Sequence, residues 1–460
     1  MSDRYAHPVA KVTSSSEDWS TGDDEDAIAA VRRASYADSP YVGERGQKAR
    51  QRILEAGLRV LAEKGYHEAN VRGIAKAAGT SRAGFYQYFS SKEDLFRNLS
   101  GRVARLLGRL TDDVGPIGPD AEGRASLRTW LERYAALYQE YAPVFAAFET
   151  AAASDESVAD GGAKVAVRTF GALRSRVTDS PLTSRQIDSV IRKLPGTTVR
   201  MNRYTDILLS LGAKGGLAVP DRVNDALADV FHRALFGVVP EANVHGPPAE
   251  ARRPELPALP SVNPAAELAG DPSLSASAQR TRVELLDAGT RAFTKLGYYL
   301  ARVDDVVAEA GVSHGIFYKY FGNKTHLFRL LAERATIRIG ETFAEIPALV
   351  GPDAVPDVHG ELRSWLTRYA ATYADEATIL SMWTEAMSRD PELRPLSAAM
   401  TESQRVAAAA VLAPRGYGDV DAEALILVMS LDGMTMERPV PTRIEATASM
   451  FERAFLQPLP

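Results

Sequence analysis

Cysteine is absent from the 460 residues of this chain, and its absence excludes several classes of site. Disulfide frameworks, thiolate zinc sites, iron–sulfur clusters and cysteine nucleophiles all need the missing thiol. Long apolar runs are absent too: the longest, around residues 424–428, is far shorter than the ~20 residues of a membrane-spanning helix. The first residues contain no apolar core of signal-peptide length. These absences predict a soluble, cytoplasmic protein with no membrane partner.

Signatures of catalysis are equally scarce. The seven histidines show no metal-ligand spacing, and no phosphate-cradling glycine loop or nucleophile elbow occurs in the sequence. We therefore expect no catalytic residue, no metal and no cofactor. An enzyme built on this scaffold would require a buried cluster of carboxylates or histidines.

The composition is that of a globular protein with more than one core. Hydrophobic residues make up 45% of the chain, charged residues 25%, and the net charge is −5. The length is about three times that of a typical domain, which predicts two or three domains. An acidic, serine-rich arm over residues 1–45 is expected to be disordered, and eight prolines mark a linker over residues 239–277.

The two halves on either side of this linker resemble each other. Residues 79–96 align with residues 311–328 at an offset of 232, with nine of eighteen positions identical. A looser match at an offset of 235 pairs Leu127, Trp130, Tyr134 and Tyr138 with Leu362, Trp365, Tyr369 and Tyr373. A whole two-part unit is therefore duplicated, and two copies are too few for a solenoid.

Each unit shows helical periodicity and a helix-turn-helix pattern. No sustained alternation indicates strands, so the predicted fold is all-α. In the first unit a short helix over 71–78 reaches Gly79, which permits a left-handed turn. Thr80 and Ser81 then offer an N-cap for a second helix over 82–89, and a capping box at 90–93 predicts the start of a third. The second unit repeats the pattern with Gly311, Ser313 and a weaker cap at 322–323.

Both copies of the motif resemble the DNA-binding domain of the tetracycline-repressor (TetR) family of transcriptional regulators. In the first copy the carrying residues are Ile74, Ala75, Ala78, Gly79, Thr80, Ser81, Phe85, Tyr86, Tyr88, Phe89, Lys92, Leu95 and Phe96. In the second they are Val306, Val307, Ala310, Gly311, Val312, Ser313, Phe317, Tyr318, Tyr320, Phe321, Lys324, Leu327 and Phe328.

The resemblance implies two tandem units on one chain. Each would comprise an N-terminal helix-turn-helix three-helix domain and a C-terminal helical domain for ligand binding and dimerisation. The expected divisions are the arm (1–45), the first DNA-binding domain (46–110), the first regulatory domain (111–238), the linker (239–277), the second DNA-binding domain (278–343) and the second regulatory domain (344–460).

Local charge agrees with DNA as the partner. Residues 47–110 contain thirteen basic and five acidic residues, and residues 278–340 contain ten and six. Both segments are thus positive within a negative protein, as phosphate contact requires. The second copy has Asp304 and Ala308 where the first has Arg72 and Lys76, which predicts weaker backbone attraction there.

Roles on DNA follow from side-chain chemistry and from the resemblance. The expected phosphate contacts are Ser81, Tyr86, Tyr88 and Lys92 in the first copy, and Ser313, Tyr318, Tyr320 and Lys324 in the second. Arg72, Lys76 and Thr80 are further expected DNA-binding residues of the first copy. The expected base readers are Arg82 and Gln87, with His314 and Lys319 as their counterparts. Because the two pairs differ, the operator is predicted to be non-palindromic.

The second regulatory domain is the expected effector sensor. Seven of the nine methionines lie there, and flexible thioethers suit an adaptable apolar pocket, although the same stripe is also typical of plain core. The candidate lining is Trp365, Tyr369, Tyr373, Met382, Trp383, Met387 and Met429. The expected ligand is a hydrophobic or amphipathic small molecule.

We expect the two units to pair within the chain through residues 224–236 and 443–455, where similar sequences recur. One chain would then act as a pseudo-dimer, most simply as a repressor released by its effector. Activation and ligand-independent architectural DNA binding are the alternatives. A further association of two chains, giving four DNA readers, stays open.

Overall fold

A computed structural model describes residues 43–238, 274–389, 393–416, 418–431 and 441–456. Side chains are not described at 149, 150, 153, 154, 384, 385 and 387–389 within these ranges. Most of the predicted arm and linker, and the side chain of Met387, lie outside the described residues. The described residues form helices, as the periodicity predicts, and the β-type pairing among them is an isolated bridge between Ile117 and Val177.

The first unit consists of eight α-helices. They are α1 (Glu44–Glu68), α2 (Val71–Ala77), α3 (Arg82–Tyr86), α4 (Lys92–Asp112), α5 (Ala121–Ser154), α6 (Glu156–Arg176), α7 (Ser184–Ser210) and α8 (Pro220–Phe236). The helix α1 begins within the range predicted for the arm. The helix α3 ends three residues before the predicted end at position 89, and the chain then turns so that Phe89 is fully buried.

The second unit repeats this order. Its helices are α9 (Ala276–Leu300), α10 (Val303–Ala310), α11 (His314–Tyr320), α12 (Lys324–Ala344), α13 (Val358–Arg389), α14 (Arg394–Leu412), α15 (Val420–Leu431) and α16 (Pro441–Phe451), the last continued by a π turn over Glu452–Leu456. The helices α4 and α12 both contain 21 residues and keep the offset of 232 from end to end.

Glycine makes the same close approach in both DNA-binding domains. A Cβ at Gly57 of α1 would lie 2.6 Å from a methyl carbon of Leu95, and one at Gly289 of α9 would lie 2.7 Å from the same atom of Leu327. Both distances are shorter than ordinary contacts, so any other residue at these positions would have to displace the leucine where α1 crosses α4 and α9 crosses α12. The duplication thus extends from sequence to packing.

Helices α7 and α8 of the first unit pack against α15, α16 and the π turn of the second. Arg222 Nη2 lies 2.7 Å from Asp419 Oδ1, Arg200 Nε lies 2.6 Å from the Met429 carbonyl oxygen, and Arg453 Nε lies 3.1 Å from the Ala234 carbonyl oxygen. We call this surface, formed by residues 184–236, 415–416, 418–431 and 441–456, the inter-unit seam.

A buried cluster of three charges lies in the inter-unit seam. The Glu423 carboxylate is 2.5 Å from Arg233 and 2.8 Å from Arg415, and all three side chains are at most 4% exposed. Arg233 belongs to α8 of the first unit, whereas Glu423 and Arg415 belong to the second. The cluster therefore ties the two units together electrostatically.

In the part of the chain that the structure describes, none of the helices combines the length and apolar character needed to cross a membrane.

Candidate nucleic-acid interface and ligand cavity

The first helix-turn-helix is built by two side-chain caps and one glycine. Asn70 Oδ1 accepts a hydrogen bond from the Gly73 amide at 2.9 Å, which starts α2, and Ser81 Oγ accepts one from the Gly84 amide at 3.0 Å, which starts α3. Between them Gly79 has a φ of +66°, a conformation that glycine adopts without strain. The Ser81 N-cap predicted from the sequence is present, and its hydroxyl proton remains available to an acceptor.

The expected base readers of the first unit point to solvent. Arg82 and Gln87 are exposed on α3 and just after it, while Phe85 of the same helix is fully buried. Arg72 and Lys76 are exposed on α2 beside them. The helix α3 thus has a buried face that fixes it to the domain and a polar face of the kind that enters a major groove.

The expected phosphate contacts differ in their exposure. Tyr86 is 45% exposed and Tyr318 is 55% exposed, although each ring meets the buried phenylalanine that precedes it edge-on. Thr80 is half-buried, and Tyr88 and Tyr320 are half-buried against the hydrophobic cores of their domains. The phenol groups of Tyr86 and Tyr318 are therefore accessible to a phosphate, whereas Tyr88 and Tyr320 take part in core packing.

The second helix-turn-helix repeats the backbone but carries different charges. Gly311 has a φ of +65°, whereas Ser313 makes no side-chain capping hydrogen bond. His314 Nε2 lies 2.5 Å from Asp304 Oδ1 of α10, so this base-reading candidate already has a partner within its own domain. Lys319 is exposed and lies 5.7 Å from the centroid of the Tyr320 ring.

Lys92 and Lys324, two of the expected phosphate contacts, make hydrogen bonds within their own domains. Lys92 Nζ donates to the Tyr66 carbonyl oxygen at 2.9 Å, and Lys324 Nζ donates to the carbonyl oxygens of Tyr298 at 2.6 Å and of Ala301 at 2.9 Å. Burial lowers the pKa of Lys324. Both amino groups thus bind carbonyl oxygens near the ends of α1 and α9, and their contact with a phosphate stays a prediction.

These hydrogen bonds have a cause in the backbone. Gly65 and Gly297 interrupt α1 and α9 with φ angles of 69° and 73°, which leaves carbonyl groups at the helix ends without their usual intrahelical partners. A lysine ammonium supplies three donors to satisfy them. The expectation of a phosphate contact for these lysines missed this role because the kinks are not evident from the spacing of the motif.

The cap of the third helix is also displaced from its expected position. Ser91, not Ser90, is the N-cap of α4, and its Oγ accepts from the Asp94 amide at 3.2 Å. Ser90 instead donates its backbone amide to Asp94 Oδ2 at 2.8 Å. The predicted capping box between Ser90 and Glu93 is therefore not formed: the cap is Ser91, and the Asp94 carboxylate binds the amide of the residue before it.

One exposed recognition-helix residue was not anticipated. Ile316 is 37% exposed on α11 and occupies the position of Gly84 in α3. An exposed apolar side chain on such a helix suits the methyl group of thymine. Alignment of the two copies at the offset of 232 already pairs Gly84 with Ile316, so the signal was in the sequence.

The two DNA-binding domains meet at the ends of their first helices. The rings of His67 and Tyr299 are 5.2 Å apart between centroids, with a tilt of 40° between their planes. This ring contact lies between the two DNA-binding domains and is separate from the inter-unit seam, which lies between the two regulatory domains.

A cavity of about 730 Å³ lies in the first unit, between α4, α5, α6 and α7. Its apolar lining includes Leu107, Tyr134, Phe145, Phe148 and Phe170. Burial raises the pKa of Tyr134 above its usual range. The volume and the mainly apolar lining are those of a small-molecule site.

The residues of the second unit that were expected to bind the ligand are not among those that line this cavity. Trp365, Tyr369, Met382, Trp383 and Met429 are at most 8% exposed, and Tyr373 is half-buried against the core. They fill the second regulatory domain and the inter-unit seam by packing. A smaller cavity of about 290 Å³ in the second unit has a different lining, from α12 and α14.

Comparisons with known proteins agree with the helix-turn-helix geometry. The family model described as "Bacterial regulatory proteins, tetR family" matches residues 53–99 and again residues 285–331. The chain is 36% identical over 63 residues to the fatty acid metabolism regulator protein of Bacillus subtilis, a match that covers 14% of this chain and 32% of that protein. It is 36% identical over 77 residues to the transcriptional repressor AcnR of Corynebacterium glutamicum, covering 17% and 41%.

These matches have a limited extent. The chain spans about a third to two fifths of the length of these curated relatives, which are named as regulators and not as enzymes. Among solved structures, the fatty acid degradation regulator FadR of Bacillus halodurans aligns with a TM-score of 0.29 and 22% identity, covering 41% of this chain and 94% of that one. A score at this level supports no argument about function.

Proposed function

Because the chain carries two DNA-binding domains of the tetR family of bacterial regulatory proteins, we propose that it is a sequence-specific transcriptional repressor acting as a single-chain pseudo-dimer. The observation that carries the proposal is the pair of helix-turn-helix motifs on one chain, each with an exposed recognition helix. The site of action would be the cytoplasm, and the partner double-stranded DNA.

Support for the pseudo-dimer comes from the inter-unit seam. Residues 224–236 and 443–455, where pairing was expected, belong to helices that pack across it, and Arg453 Nε donates to the Ala234 carbonyl oxygen at 3.1 Å. Ion pairs of Arg222 with Asp419 and of Arg233 with Glu423 accompany this packing. Two recognition helices on one rigid pair would occupy successive major grooves, about 34 Å apart or somewhat more.

Unequal halves of the operator follow from unequal recognition surfaces. Arg82 and Gln87 would read bases in one half-site, Lys319 and Ile316 in the other, with His314 held by Asp304. Arg72 and Lys76 add positive charge beside α3, whereas α10 presents Asp304. The first unit would therefore contribute more of the affinity.

An apolar effector would bind in the first-unit cavity and release the DNA. The lining helix α4 begins directly after the recognition motif, so occupancy of the cavity can bias the position of the DNA-binding domain. A ligand shifts this equilibrium only through its greater affinity for the released conformation. A relative named as a fatty acid metabolism regulator makes lipids a reasonable first class to screen.

Selection of bound duplexes from a random pool tests this function. We expect a non-palindromic site with two different half-sites. The double variant His314→Ala/Lys319→Ala should relax one half alone, and Arg82→Ala/Gln87→Ala the other. Recovery of no enriched sequence would contradict sequence-specific regulation and favour architectural binding.

A further inference from the structure

The first-unit cavity combines an apolar interior with positive charge. Arg97 of α4 and Arg192 and Arg203 of α7 contribute to its lining, while the described lining residues include no aspartate or glutamate. The Arg192 guanidinium carbon lies 4.1 Å from the centroid of the Phe170 ring, so this cation is held against an apolar wall. An apolar site edged by guanidinium groups favours a ligand with an apolar body and an anionic group.

The carboxylate of Asp155 lies near Arg97 and also caps a helix. Asp155 Oδ2 lies 3.7 Å from Arg97 Nε, at the long end of an ion pair. Asp155 is also the N-cap of α6, where its Oδ1 accepts hydrogen bonds from the Ser157 amide at 3.0 Å and the Ser157 hydroxyl at 2.7 Å. Because Arg97 is 44% exposed, it can meet a ligand group while Asp155 stays at the cap.

The second unit has a different arrangement at the same place. At the offset of 232, Arg97 corresponds to Arg329 and Gly101 to Glu333. The Glu333 side chain is fully buried, and its Oε1 lies 3.4 Å from Arg329 Nε. In the first unit no side chain grows from Gly101, and a Cβ there would meet Arg105 at 3.5 Å and nothing closer.

The cavity of the second unit reflects this substitution. Glu333 forms part of its wall, and the described residues that line it include no lysine or arginine. Thr336 Oγ1 lies 2.9 Å from Met400 Sδ, which joins α12 to α14 where the first unit is open. In the second unit the Glu333 carboxylate thus lies beside Arg329, and the cavity there is smaller, at about 290 Å³.

We propose that the first unit binds an amphipathic carboxylate, with its head group at Arg97 beside Gly101 and its apolar body between α4 and α7. The second unit takes no such ligand, because Glu333 supplies the carboxylate from within the chain. One chain, with two DNA readers, therefore binds one effector. This inference rests on the proposed function, and it adds the ligand class and the stoichiometry.

Calorimetric titration of the full chain with dodecanoate tests the proposal, with dodecan-1-ol and dodecyltrimethylammonium as probes of equal chain length. We expect one dodecanoate per chain and at least about tenfold weaker binding of the alcohol and the cation, because a charge-assisted hydrogen bond is lost. Two equivalents per chain, equal affinity for the alcohol, or no binding of dodecanoate would overturn the proposal.

Variants locate the site. Gly101→Glu should abolish dodecanoate binding, since it places in the first unit the carboxylate that the second already has, and glutamate also favours helix at this position. Arg97→Gln should raise the dissociation constant at least about tenfold with little effect on the fold. The matched control is Glu333→Gln in the second unit, which should leave the affinity of the first-unit site unchanged. Unchanged binding by Gly101→Glu and Arg97→Gln would overturn the assignment.

Operator binding distinguishes this inference from the function on which it rests. Dodecanoate binding that follows these variants but leaves operator affinity unchanged would refute effector release and keep the site. Operator release by an uncharged ligand, with no binding of dodecanoate, would keep the repressor and refute the carboxylate.

Discussion

The charge cluster of the inter-unit seam gives the most demanding test of the packing. Glu423 is 1% exposed and lies within ion-pair distance of Arg233 and Arg415, which are 4% and 1% exposed. The substitution Glu423→Gln keeps the shape of the side chain and removes its charge. Two guanidinium groups then remain buried, one from each unit, without the carboxylate between them.

The expected loss follows from this burial. Removal of one partner from a buried ion pair costs about 3–5 kcal/mol, because the other partner stays desolvated. The slope in urea increases with chain size, and at about 5 kcal/mol/M the unfolding midpoint should fall by about 0.6–1 M. The triple variant Arg233→Met/Glu423→Leu/Arg415→Met, which removes all three charges, should recover most of the loss.

Urea denaturation followed by circular dichroism measures the effect. The control is Asp112→Asn, which breaks the 2.5 Å ion pair with Arg168, whose partners are 49% and 64% exposed. Such a surface pair contributes less than about 1 kcal/mol. A Glu423→Gln midpoint within the range of this control would refute the claim that a buried charge cluster joins the units.

Three further predictions concern the DNA-binding domains and the pH dependence of stability. Arg82→Ala should cost about 1–3 kcal/mol of DNA binding and relax one base position, whereas an unchanged selected site would exclude Arg82 as a base reader. Lys324→Ala should lower the free energy of unfolding by about 1.5–3 kcal/mol, because its charged amino group binds backbone carbonyl groups. If stability is unchanged and the salt dependence of DNA binding falls by about one unit of slope, Lys324 contacts a phosphate instead. Burial, with Arg200 and Arg443 nearby, lowers the pKa of Lys193 to about 7. Since the unfolded lysine titrates near ~10.4, the unfolded chain binds more protons between these values, and unfolding free energy should rise with pH from about 7 to 10. Urea titrations across this range should show a flatter dependence for Lys193→Met, and an equal slope for both proteins would contradict the assignment.

The fold and the recognition motif could be predicted from interactions between residues that are close in the sequence. Gly79 and Gly311 have the positive φ angles that a tight turn between helices requires, and Ser81 caps α3. Phe85 and Phe317 are fully buried, as their inward position on a short helix predicts. Each of these features depends on neighbours within a few residues, which is why the sequence alone reveals them.

Other features depend on tertiary contacts, which the sequence pattern does not reveal. The direction of Lys92 depends on a kink at Gly65, 27 positions earlier in the chain, and only the fold brings the two together. The sensor was expected in the second unit because aromatic and methionine side chains are dense there. These large side chains pack against one another, and Trp365 is fully buried. The open cavity instead lies in the first unit, where Gly101 and Gly161 have no side chains to fill it.

The mass of the protein–operator complex tests the single-chain pseudo-dimer most directly. Native mass spectrometry of the full chain with its selected duplex should give one chain of 49.8 kDa per duplex on a non-palindromic site. Two chains on a palindromic site, with binding unaffected by His314→Ala/Lys319→Ala in the second unit, would contradict it.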